Sequence, residues 1–154
     1  DWVGPGTGVK GKELNNKIKI VRESVILHKA VLTDGLEILR CLGGREMAAI
    51  CGAIITARLS RIPVLLDGYV TCAAAAALHA IDSNALDHCM VAHVSAEPGH
   101  RLLLKKLNKI PLFDLSMRLG EGSGAALAVG ILRGAAACHN GMATFEEATV
   151  TNKD

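Results

Sequence analysis

Two short apolar runs constrain what this chain can build. Ile62-Pro63-Val64-Leu65-Leu66-Asp67 ends in Asp-Gly, and residues 89–94 run into Ser95-Ala96-Glu97-Pro98-Gly99. Both are too short for a helix, and their continuous apolar character favours strands buried on both faces. A helical pattern follows each, over residues 69–81 and 100–107, with Pro98 near the start of the second. Strand, loop and helix in repetition predict a parallel sheet with crossover helices, an α/β fold. A third short strand is expected at 112–115, leading through Arg118-Leu119-Gly120-Glu121-Gly122-Ser123-Gly124 into a small-residue helix at 125–138. About three strands is thin for a complete doubly wound sheet, so the expectation is a Rossmann-like but partial domain.

Upstream, residues 11–30 carry Leu14, Ile18, Val21 and Val25 at helical spacing with Lys and Glu between them. A second helix is expected over 35–42, stopping at Gly43-Gly44, and a third over 45–58. No repeat or linker divides the chain, so residues 1–154 read as one unit. Half of the residues are hydrophobic yet only 3% are aromatic, so the core is built from Ala, Leu, Ile and Val at close separations.

The 17 basic and 15 acidic residues are interspersed, which argues against a nucleic-acid-binding face. Five cysteines, Cys41, Cys51, Cys72, Cys89 and Cys138, sit in apolar stretches without a CxxC pair and read as reduced core thiols of a cytoplasmic protein. The Ala-rich run 72–80 lies between Asp67 and Asp82, far short of the ~20 apolar residues that span a bilayer, so no membrane role is expected. The opening residues carry no secretory signal, and the missing initiator Met suggests a processed product, an excised piece or a fragment.

Three glycine-rich loops are candidates for phosphate binding: residues 4–8, 95–99 and 120–124. Such loops expose backbone N–H groups at the positive end of a helix, and in an open parallel sheet the loops at the strands' carboxyl ends share one crevice. Glycines also serve ordinary turns and caps, and residues 4–8 lack the preceding strand of a dinucleotide fingerprint. Glu121, flanked by glycines, is placed to meet a ligand as a general base, or else is simply an acidic residue near a helix N-terminus. Lys17 is placed to reach a phosphate on the preceding loop, or else is a solvated helix lysine. His88, His93 and His100 have no metal-ligand spacing, and Ser95, Glu97 and His100 lack the strand-to-helix elbow of a hydrolase nucleophile.

Leu42-Gly43-Gly44-Arg45-Glu46-Met47-Ala48-Ala49-Ile50, Pro63-Val64-Leu65-Leu66-Asp67-Gly68, His93-Val94-Ser95-Ala96-Glu97-Pro98-Gly99-His100 and Met117-Arg118-Leu119-Gly120-Glu121-Gly122-Ser123-Gly124-Ala125-Ala126 occur in that order, followed by Met142-Ala143-Thr144-Phe145-Glu146-Glu147-Ala148. In order and spacing they resemble the C-terminal half of the nicotinate-nucleotide:dimethylbenzimidazole phosphoribosyltransferase family. The resemblance implies transfer of a phosphoribosyl group from nicotinate mononucleotide to 5,6-dimethylbenzimidazole, giving α-ribazole 5′-phosphate and nicotinate for the lower ligand of cobalamin, with no cofactor and no metal. It places the general base at Glu121 and phosphate and ribose contacts at Gly6, Thr7, Lys17, Ser95 and Gly120. It implies homodimers, or association with the missing N-terminal half, which in the family adds strands and much of the benzimidazole pocket. Pro5 stands where the family usually has a basic residue, and Ser116 where it usually has glycine. The alternative implied by the short length is a nucleotide-binding module without turnover of its own.

Overall fold

The computed structural model describes residues 2–151; Asp1 and residues 152–154 of the expected unit lie outside the described residues. Its elements run α1 (Gly11–His28), α2 (Gly35–Ile38), α3 (Gly44–Leu59), β1 (Val64–Leu66), α4 (Tyr69–Ile81), β2 (Cys89–His93), α5 (Pro98–Lys106), β3 (Pro111–Phe113) and α6 (Ser123–Gly141). The strands form one parallel sheet in the order β1-β2-β3, with Val64 opposite Cys89 and His93 opposite Phe113. Helix α4 connects the first pair and α5 the second, as the alternation of patterns predicts. β1 and β3 are shorter than or offset from their apolar runs, whose outer residues Ile62 and Leu115 stay exposed, and β2 stops one residue before the buried Val94.

Helix α4 is the centre of the core. Cys72, Ala74 and Ala75 are fully buried, and around them pack Cys51 and Ile54 of α3, Leu66 of β1, Val91 of β2, and Leu103 and Leu104 of α5. Small side chains let these elements approach closely, which is how a core with few aromatic rings reaches the density of a protein interior. The closest approach is at Gly35, where an added Cβ would collide with the Ala77 carbonyl oxygen. Asp34 caps that point, its Oδ1 accepting from Leu36 N at 2.8 Å and Glu37 N at 3.0 Å.

The expected stop at Gly43-Gly44 takes a different form. A π-helical turn over Leu39–Gly43 absorbs the chain after α2, and the next helix starts directly at Gly44, whose φ of 72° makes the change of direction. Such turns accommodate an extra residue in a helix without a loop. Ser116 has a φ of 55°, in the left-handed region that glycine enters freely and serine enters only at a steric cost.

The apolar stripe of α1 is only partly covered: Leu14 and Ile18 are half-buried, Val21, Val25 and Ile26 are exposed, and no residue of the helix is fully buried. On α6, Leu127, Val129 and Ile131 are likewise exposed. None of the described helices is long and apolar enough to cross a membrane.

Close packing at α2 makes glycine substitutions diverge in sign. Gly35→Ala should lower unfolding free energy in urea by about 1–3 kcal/mol, because backbone at Ala77 cannot yield. Gly52→Ala, in an exposed turn of α3 with nothing within 4 Å of the new Cβ, should raise it by about 0.5–1 kcal/mol.

Candidate functional site

The sheet delivers its polar residues to one end. Asp67 follows β1, His93 closes β2 and Ser95 stands two residues beyond it, while the segment after β3 runs to Gly122 at the start of α6. Gly122 offers α6 no capping side chain. Asp67 supplies the cap from across the sheet, its Oδ1 accepting from Ala125 N at 2.8 Å. A carboxylate there satisfies an orphan N–H and meets the positive end of the helix.

His93 fits the gap between the amino ends of two helices. An added Cβ on Gly124 would collide with its Cδ2, and one on Gly68 would lie 3.2 Å from its Nε2. The ring stacks on Phe113 at 5.9 Å and meets His100 edge-on at 6.5 Å. Glycine at 124 is therefore a packing requirement set by the imidazole, and a side chain at 68 would crowd the same ring.

His100 organises the second loop. Its Nδ1 accepts from Ser95 N at 2.9 Å and lies 3.1 Å from Ser95 Oγ. Accepting at Nδ1 requires the neutral ring protonated on Nε2. Burial, then the nearby His93 and Arg101, push its pKa down from 6.5 to about 4. The Ser95-Glu97-His100 group thus positions a loop through a backbone N–H that donates to an imidazole, without the geometry of a nucleophile and its base.

The first loop closes over these two. Gly4 lies against Glu97 and Pro98, Gly99 lies beneath Tyr69 and the Trp2 carbonyl, and Tyr69 Oη donates to Trp2 O at 3.0 Å. Gly8 and Val9 N donate to Pro5 O at 3.1 and 2.9 Å, forming a turn in which Gly6 has φ 58°. Two cations hold this turn by its carbonyls: Lys17 Nζ donates to Gly4 O at 2.7 Å and Arg118 Nη2 to Gly6 O at 3.1 Å.

These loops enclose a cavity of about 680 Å³. Gly6, Thr7, Lys17, Ser95, Gly120 and Glu121, the six residues singled out in the sequence, all line it. So do Asp67, Tyr69 and Arg118, to which sequence reasoning gave no role, and His93 and Glu97, which it weighed as a metal ligand and as part of a hydrolase triad and set aside. Asp67 and His93 had a readable signal, since both end a strand at the edge where loops converge. Arg118 had none, because its contact with Gly6 spans 112 residues of chain.

Glu121 is exposed on the cavity wall with φ 56°, between Gly120 at 78° and Gly122 at 74°. Three successive left-handed residues turn the chain sharply before α6, and Ser123 N closes the turn on Gly120 O at 3.0 Å. A non-glycine residue held in this region carries strain of the kind concentrated at functional sites. Among the described residues no group of three or more His, Cys, Asp or Glu is placed to hold a metal ion, and all five cysteines are free thiols.

Residues 1–150 match the family described as "Phosphoribosyltransferase". The nicotinate-nucleotide–dimethylbenzimidazole phosphoribosyltransferase of Methylocella silvestris is 61% identical over 153 residues, covering 99% of this chain and 45% of that protein. The protein of that name from Rhizobium leguminosarum bv. trifolii is 62% identical over 154 residues, covering 100% of this chain and 46% of its own length. The crystal structure of CobT from Thermus thermophilus superposes with a TM-score of 0.88 at 38% identity, covering 98% of this chain and 45% of that one. The chain spans a little under half the length of the relatives it matches, in their C-terminal half.

The depressed pKa of His100 has a consequence for stability. Between pH 6.5 and about 4 the unfolded chain binds a proton at His100 that the folded chain does not, so stability is full above 6.5 and declines as pH falls through this window. Urea titrations across it should show His100→Gln with a slope shallower by up to about one proton. An unchanged slope would mean that His100 does not titrate as its burial implies.

Proposed function

Since the chain belongs to the nicotinate-nucleotide–dimethylbenzimidazole phosphoribosyltransferase family, we propose that it carries the donor site and general base for transfer of a phosphoribosyl group from nicotinate mononucleotide to 5,6-dimethylbenzimidazole. The observation that carries this reading is the meeting of three glycine-rich turns and Glu121 on one cavity. Its volume of about 680 Å³ falls within the ~300–1,000 Å³ range of small-molecule sites.

In this reading Gly6 and Thr7 present backbone N–H groups to the 5′-phosphate, and Lys17 and Arg118 keep the carbonyls of the turn while turning their remaining N–H donors to the anion. Ser95 and Gly120 flank the ribose. The bond from ribosyl C1 to the pyridinium nitrogen breaks with its electron pair passing to that ring, which leaves as nicotinate. One nitrogen of the benzimidazole forms the new bond to C1, and Glu121 accepts the proton lost from the other. The left-handed turn fixes where that carboxylate stands, so its contribution is position as well as charge.

The acceptor pocket and a second subunit, or the rest of the longer relatives' chain, complete the site. The exposed apolar faces of α1 and α6 are where such a neighbour would pack. The free cysteines fit a reducing, cytoplasmic setting. Capture of the donor without turnover is the second reading, favoured by the exposure of Glu121 in this chain.

Incubating the chain with both substrates, alone and with the N-terminal portion of the Methylocella silvestris relative, and measuring nicotinate and α-ribazole phosphate tests the proposal. Product in either mixture is expected. Donor binding without product in both would leave the capture reading, and no donor binding would remove both. Glu121→Gln should lower turnover about 10²–10⁴-fold with donor affinity nearly unchanged. Lys17→Ala should weaken donor binding about ten-fold or more, partly through loss of its hold on Gly4.

A further inference from the structure

We infer that Asp67 and His93 form a hydroxyl-binding subsite for the ribose of the phosphorylated donor, an inference that rests on the donor reading above. Both stand at the carboxyl ends of adjacent parallel strands, both line the cavity, and they are only 9% and 2% exposed. Buried polar groups of this kind normally have partners, and a vacancy in their bonding needs a reason. His93 Nδ1 is buried with no hydrogen-bond partner among the described residues.

That vacancy decides the tautomer. A proton on Nδ1 would be a buried donor without an acceptor, whereas a bare lone pair there is the less costly state; His100 carries such a donor on Nε2 because Ser95 N–H occupies its Nδ1, and no donor among the described residues makes that demand at His93. The N–H therefore belongs on Nε2, the ring nitrogen nearest both Gly68 and Gly124. The missing Cβ atoms at those two positions leave room for it between the amino ends of α4 and α6.

Asp67 commits Oδ1 to Ala125 N and leaves its second oxygen as an acceptor. A phosphate is repelled by a nearly buried carboxylate. A hydroxyl suits the pair, because it accepts from His93 Nε2–H and donates to Asp67 in the same pose. The donor's phosphate and nicotinate carboxylate offer no such O–H at neutral pH, and its ribose does.

The test is calorimetric binding of nicotinate mononucleotide and of its 2′-deoxy and 3′-deoxy analogues, with melting temperatures recorded for each protein. The wild-type chain should prefer the ribonucleotide over at least one analogue by about ten-fold. His93→Leu should reduce that preference to within about two-fold, and His93→Gln, which keeps an N–H, should restore part of it. Asp67→Asn retains a carbonyl for the α6 cap but replaces the second acceptor with a donor, and should lose the preference too. It decides the matter if His93→Leu does not fold. Equal binding of all three ligands by the wild type, or full preference in the folded variants, overturns the subsite while leaving the donor reading intact. Failure of the wild type to bind nicotinate mononucleotide overturns both.

Discussion

The bond from Asp67 to the Ala125 amide ties the end of the first strand to the start of the last helix, across 58 residues of chain. It satisfies a helix end that has no cap of its own, and so determines where α6 begins. Glu121 lies in the turn immediately before that helix. His93 holds the spacing from the central strand, since its ring leaves room for glycine alone at 124 and for little more at 68. The position of Glu121, the carboxylate proposed to accept the proton, thus follows from a tertiary cap and a packed imidazole, and its own loop only completes the placement.

The cavity's cations are held in a related way. Lys17 and Arg118 donate to carbonyls of the turn that begins the described chain. These bonds order the glycines before any ligand arrives and keep both charges at the cavity wall. Preorganisation of this kind reduces the ordering cost that binding would otherwise carry. Asp67 and Glu97 add negative charge on the same wall, so the site is divided between surfaces that favour anions and surfaces that favour hydroxyls or cations.

A parallel sheet is ordinarily covered on both faces and extended at both edges. Here only three short strands are present among the described residues, and the apolar residues of α1 and one side of α6 meet solvent. The chain matches somewhat less than half of its relatives' length. The two facts agree physically, because a small set of strands buries less of its apolar surface than a complete domain does.

The sequence determined the order of elements. Branched apolar runs and small-residue helices carry their periodicities locally, so α4, β2 and the parallel arrangement were legible from residues 62–94 alone. Six of the cavity-lining positions, Gly6, Thr7, Lys17, Ser95, Gly120 and Glu121, were legible through loops and family resemblance, and the roles proposed for them come from that resemblance. The π-turn before Gly44, the exposure of α1, and the contacts of Asp67, His93 and Arg118 were decided only by the tertiary structure. Periodicity reports which face of an element is apolar, but whether anything covers that face, and which distant amide a carboxylate meets, depends on how the elements pack in three dimensions.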